Sequence, residues 1–97
     1  MQTYSLLSEA DVQLAYATHI RKQRKLAKLS REALAIRSTV PASTIKKFEL
    51  TGQISFRQLL LLWQSVDDLD RIYKLTQVTA QSKSMPTSIA QVLKDEL

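Results

Sequence analysis

A chain of 97 residues with a net charge of +5 has room for one modest hydrophobic core. It holds no cysteine, which excludes a disulfide framework and a thiolate metal site. Its longest apolar run, residues 59–63, falls far short of the roughly 18 residues a membrane span needs, and no basic region precedes an apolar one as in a secretory signal, so a cytoplasmic location is expected.

One glycine (Gly52) and two prolines (Pro41, Pro86) leave few breaks, and no run alternates with period two, so the chain is expected to be all-α. Ser8 is placed to cap a first helix, with Asp11 three residues on completing a capping box. Val12, Ala15, Tyr16, His19, Ile20 and Gln23 follow helical spacing to about residue 27, with Ile20 the firmest apolar anchor. The second half of this helix is strongly basic (Arg21, Lys22, Arg24, Lys25). Ser30 caps a short second helix whose first turn carries Glu32, where the helix dipole favours an acid. Leu34 and Ala35 supply its buried side, and it ends near Ser38.

Pro41 suits the first turn of a third helix, about residues 42–49, which buries Ile45 and Phe48 and exposes Ser43, Thr44, Lys46 and Lys47. Thr51-Gly52-Gln53 is the clearest turn. Ser55 caps a fourth helix with Leu59, Leu62, Trp63 and Val66 inward; Asp67-Asp68 breaks the pattern, and a short fifth helix carries Leu69, Ile72, Tyr73 and Leu75. Residues 8–75 therefore form one domain. Residues 76–97 read as a flexible linker followed by a short amphipathic tail, in which Thr87 precedes Ile89, Val92, Leu93 and Leu97 on one side. A segment of that length is marginal alone and needs a surface: its own domain, a second copy or another protein.

Charge is spread unevenly. Between His19 and Arg57 ten Lys and Arg stand against two acids, Glu32 and Glu49, whereas the remainder is mildly acidic. A positive middle suggests a surface facing a polyanion, although a solvated helix face has the same charge count. The second and third helices decide between these readings. Leu29-Ser30-Arg31-Glu32-Ala33-Leu34-Ala35, a tight turn, and Val40-Pro41-Ala42-Ser43-Thr44-Ile45-Lys46-Lys47-Phe48-Glu49 have the pattern of a helix-turn-helix at residues 30–50. Ala35 is small where the two helices cross. Leu34, Val40, Ile45 and Phe48 fix the crossing from below, leaving a short, polar and basic outer face that suits the major groove.

Residues 20–75 resemble the Cro/lambda-repressor-like (XRE-type) helix-turn-helix family. The match lies in Ile20-Arg21, Arg24, Leu29-Ser30, Glu32, Leu34-Ala35, Val40, Ser43-Thr44-Ile45, Phe48-Glu49, Gly52 and the leucine-rich fourth helix. The run from Ala35 to Glu49 further resembles a HipB-like antitoxin subgroup. The resemblance implies a five-helix lambda-repressor-like domain with a short C-terminal tail. It also implies a dimer bound to a palindromic double-stranded operator, and a HipA-like kinase toxin as partner. Carried over by position, it assigns Ala42, Ser43, Thr44, Lys46 and Lys47 to the groove and Arg31 to a phosphate, and it makes Arg24 and Glu49 a structural ion pair. Two positions depart from the family pattern. Thr39 replaces a frequent glycine, so a left-handed backbone there is strained, and Ser38 replaces an apolar residue, so the turn is expected to be reshaped locally.

His19 is a lone histidine with no metal-ligand partner, Trp63 reads as core or dimer interface, and Asp67, Asp68 and Asp70 read as a helix-start cluster rather than a cation site. No phosphate loop, nucleophile–base set or ligand cluster appears, so neither catalysis nor a cofactor nor a metal is expected. The leading expectation is an autoregulating repressor of a toxin–antitoxin operon. A free-standing phage-type repressor is the alternative within DNA binding. A protein-interaction module using the tail residues Ile89, Val92 and Leu93 to hold a partner is the alternative of another class.

Overall fold

A computed structural model describes residues 6–77; the expected tail with Ile89, Val92 and Leu93, and all of the linker beyond Gln77, lie outside them. The described residues are all-helical: α1 (Glu9–Leu26), α2 (Arg31–Ser38), α3 (Ala42–Thr51), α4 (Phe56–Val66) and α5 (Leu69–Lys74). None of these helices is long and apolar enough to cross a membrane.

Each start is set by a local hydrogen-bonding device. At α1 the Ser8 hydroxyl accepts from the Asp11 amide at 3.2 Å while the Asp11 carboxylate accepts from the Ser8 amide at 3.0 Å, a reciprocal capping box. Ser30 and Ser55 cap α2 and α4 by accepting from Ala33 and Gln58. The third helix differs. Pro41 is its N-cap rather than its first helical residue and has no side chain with which to cap. Its carbonyl instead accepts the Thr44 and Ile45 amides at 3.0 Å each. This helix also runs two residues past Glu49, ending against Gly52.

The core is assembled from every long helix: Ala17 and Ile20 of α1, Leu34 of α2, Ile45 and Phe48 of α3, and Leu62 and Trp63 of α4, with Val40 plugging it from the turn. The larger aliphatic and phenylalanine side chains among these, removed from water, each contribute about 1.5–3 kcal/mol. α3 lies chiefly against α1 and α2, so its underside is fixed on two sides. α1 is turned differently from the expected face. Val12 and Ala15 are exposed, while Ala17 and Arg24 are buried. The small Ala17 side chain lets neighbouring helices close in, and Arg24 has to face inward to meet Glu49. In α5 and at its C-cap the apolar residues Leu69, Tyr73 and Leu75 stay exposed, and only Ile72 packs on the core.

Trp63 joins α1, α4 and α5. Its ring stacks on His19 with centroids 4.8 Å apart and leans on Tyr16 at 5.6 Å, while Nε1 donates to the Asp68 carbonyl at 2.9 Å. The indole is thus satisfied at its polar edge as well as buried on its faces.

Candidate functional site

The outer face of α3 is defined by what the inner face holds. With Ile45 and Phe48 buried, the 3.6-residue repeat points Ser43 and Leu50 directly outward, with Lys47 turned about 50° towards the Thr44 side. Lys46 lies to one side of that strip and Thr44 to the other. Ser43, Lys46 and Lys47 are exposed, while Ala42 and Thr44 are half-buried.

On the Thr44 side the strip becomes the wall of a polar cleft of about 420 Å³, lined by Ser43, Thr44, Lys47, Gln53, Ile54 and Gln58. Gln53 and Gln58 were not singled out in the sequence, since they belong to a loop and to the next helix and share no periodicity with α3. The cleft reaches the first turn of α4, where backbone amides carry the positive end of the helix dipole. A lysine, two hydroxyls and two amides around a helix start make a surface of donors suited to an anion or to base edges.

On the Lys46 side the helix is anchored by charge. Arg24 clasps Glu49 through two bonds, Nε to Oε2 at 2.7 Å and Nη2 to Oε1 at 3.0 Å. Its third nitrogen donates to the Leu29 carbonyl at 2.9 Å, which fixes the loop leaving α1. Arg31 joins the same carboxylate, Nε to Oε1 at 2.9 Å. The Arg31 side chain, expected at a phosphate, is therefore held at its Nε by Glu49 while keeping 31% of its surface exposed. The Glu49 side chain is only 1% exposed. Burial raises its pKa, but hydrogen bonds and attraction from Arg24 and Arg31 outweigh that and hold it below the ordinary carboxylate value.

The turn between α2 and α3 sets their angle. Thr39 takes the left-handed conformation (φ 67°, ψ 12°) in spite of its β-branched side chain. The expected reshaping does not remove this strained residue. Instead the buried Ser38 hydroxyl accepts the Val40 amide at 3.1 Å, and the Thr39 hydroxyl donates to the Ser38 carbonyl. A serine in this apolar place is thereby satisfied rather than orphaned.

Away from this face, His19 and the aspartates form a structural cluster. Asp67 closes α4 and Asp68 caps α5. His19 Nε2 donates to Asp67 Oδ2 at 2.7 Å, and Arg71 donates to the same oxygen at 2.8 Å. An ionised carboxylate only accepts, so the Nε2 proton is required by the geometry. Burial raises the Asp67 pKa, but the bonds from His19, the Asp68 amide and Arg71 together bring it below the usual range. Among the described residues no group of three or more His, Asp or Glu could hold a metal ion.

No protein-family model, no curated protein and no solved structure matches the chain.

Proposed function

We propose that the protein is a sequence-specific DNA-binding repressor that inserts α3 into the major groove. The observation that carries this reading is the outer face of α3: an exposed Ser43–Lys46–Lys47 surface on a helix anchored beneath by Ile45, Phe48 and the Arg24–Glu49–Arg31 ion triad. A reading helix needs polar tips and little freedom to tilt, and this one has both. Ser43, Thr44 and Lys46 take part in base readout, with Ala42 close to the helix start. Lys47, in the cleft beside the α4 start, and Arg31, at the α2 start, take phosphates. Arg24 and Glu49 hold the frame.

The finer reading rests on the resemblance of residues 20–75. By it the domain is lambda-repressor-like, binds a palindromic operator as a homodimer and autoregulates a toxin–antitoxin operon with a HipA-like kinase as partner. The exposed Leu69 and Tyr73 of α5 support a self-association face.

Selection of binding sites from a random duplex library tests the proposal. An enriched inverted repeat is expected. On that site Lys46→Ala relaxes base preference by about 1–3 kcal/mol at one position. Lys47→Ala weakens specific and random DNA alike and flattens the salt dependence by about one unit of slope. No enrichment under conditions where random DNA still binds rejects the reading.

A further inference from the structure

A second concavity, of about 460 Å³, differs in kind from the polar cleft. Val12 and Tyr16 of α1, Phe56 and Leu59 of α4, and Ile72 and Leu75 at the end of the described chain line it, together with the α3–α4 turn. On its rim Val12, Phe56 and Leu75 are 43%, 69% and 58% exposed. Single exposed apolar side chains are ordinary on a protein surface, but several converging on one groove mark a place where something binds.

We propose that this groove seats the chain's own C-terminal segment, residues 87–97, folded back onto the domain it leaves. The exit point favours this occupant. Leu75 and Thr76 line the groove themselves, so the chain departs from its lip. Ten residues, 77–86, separate that lip from Thr87. A chain of this length reaches at most about 33–36 Å when extended, enough to reverse direction and return to the groove. It is also short enough to keep the segment at an effective concentration in the millimolar range.

The chemistry of the segment matches. Ile89, Val92 and Leu93 are spaced to share one side of a helix, with Gln91 and Lys94 on the other. Eleven residues of helix are about 16 Å long and too short to persist without a surface. Docking covers the rim residues and the segment's apolar side in one step.

A second copy is the competing occupant, and α5 separates the two roles. Ile72 and Leu75 face the groove, whereas Leu69 and Tyr73 lie about 110° further round the helix at 3.6 residues per turn. The Leu69–Tyr73 face stays available for self-association when the groove is filled. The proposal does not depend on the DNA-binding reading, because its test involves no DNA.

The absence of cysteine among the 97 residues allows a direct test in this chain. Gln13 is exposed and lines the groove, and Ala90 flanks Leu93 on the helical repeat. The double variant Gln13→Cys/Ala90→Cys is oxidised mildly and resolved on non-reducing gels. Ile36→Cys/Ala90→Cys is the control, since Ile36 is 83% exposed on α2 and does not line the groove. The expected result is a disulfide within one chain, formed about tenfold or more faster than in the control. That advantage is expected to vanish when Val92→Asp and Leu93→Asp are added. Disulfides joining two chains, equal rates in the two pairs, or an advantage that survives the aspartates each overturn the proposal.

Discussion

Glu49 shows how much one side chain decides in a core this small. Its carboxylate is buried, and a lone buried charge costs several kcal/mol. Two guanidiniums meet it: Arg24 ties α1 and the Leu29 loop to the end of α3, and Arg31 ties in the start of α2. Three helices therefore share one anion. Asp67 is a second such point, joining α1 through His19 to the α4–α5 corner through Arg71. Both carboxyls titrate lower in the folded chain than in the unfolded one. The unfolded chain consequently takes up protons first as pH falls below about 5. The stabilisation from both groups is complete above that value and is lost as pH drops through their lower folded values. A urea midpoint held constant between pH 6 and 5 and falling steeply towards pH 3 is expected. A midpoint unchanged at pH 3 contradicts the linkage.

Three of the turns between elements carry a left-handed residue, Lys28, Thr39 and Gly52, and the last two look alike and differ in cause. Gly52 at the end of α3 has φ 83°, and a Cβ there meets the Gln13 backbone and Cβ at 3.1 Å, so both conformation and space require glycine. Thr39 has φ 67° with a branched side chain and bears the strain. Substitutions at the two positions are expected to act with opposite signs. Gly52→Ala destabilises by at least about 1–2 kcal/mol, whereas Thr39→Asn, which enters this region more readily, stabilises by about 1 kcal/mol. Chemical denaturation of the two variants checks both, and destabilisation by Thr39→Asn refutes the strain assignment. The same turns mark how far the sequence could be read. Serine caps, the aspartate break and the lone glycine punctuate the chain locally, and the five helices follow from them. The Arg24–Glu49 contact was visible only through resemblance. Arg31 joining it, Gln53 and Gln58 lining one cleft with Lys47, and His19 reaching Asp67 bring together residues 6 to 48 positions apart, on different elements. No periodicity in one helix encodes them. The rotation of α1 was missed for the same reason: its buried face is chosen by a partner on α3, not by its own apolar spacing.

At the scale of the whole molecule, the basic side chains and the exposed face of α5 act together in the proposed function. One domain presents a single reading helix and a limited number of cations, so its discrimination is bounded by a few base contacts. Pairing two domains doubles both the base contacts and the phosphates neutralised, and places the reading helices about 34–36 Å apart, one turn of the duplex. Leu69 and Tyr73, one helical turn apart on α5 and 37% and 61% exposed, form the apolar patch to which the proposed function assigns that pairing. Tyr73→Asp puts a charge in the patch without touching the buried core. The expected outcome is a monomer with unchanged helicity that loses most of its preference for an inverted repeat over random DNA. The salt dependence provides an independent reading, because each neutralised phosphate contributes about 0.9 to the slope of log K against log salt. A monomer on a half-site gives about half the slope of a dimer on the full site. If Tyr73→Asp leaves both the slope and the sedimentation behaviour unchanged, the patch is not the pairing surface, and two-fold recognition through α5 falls with it.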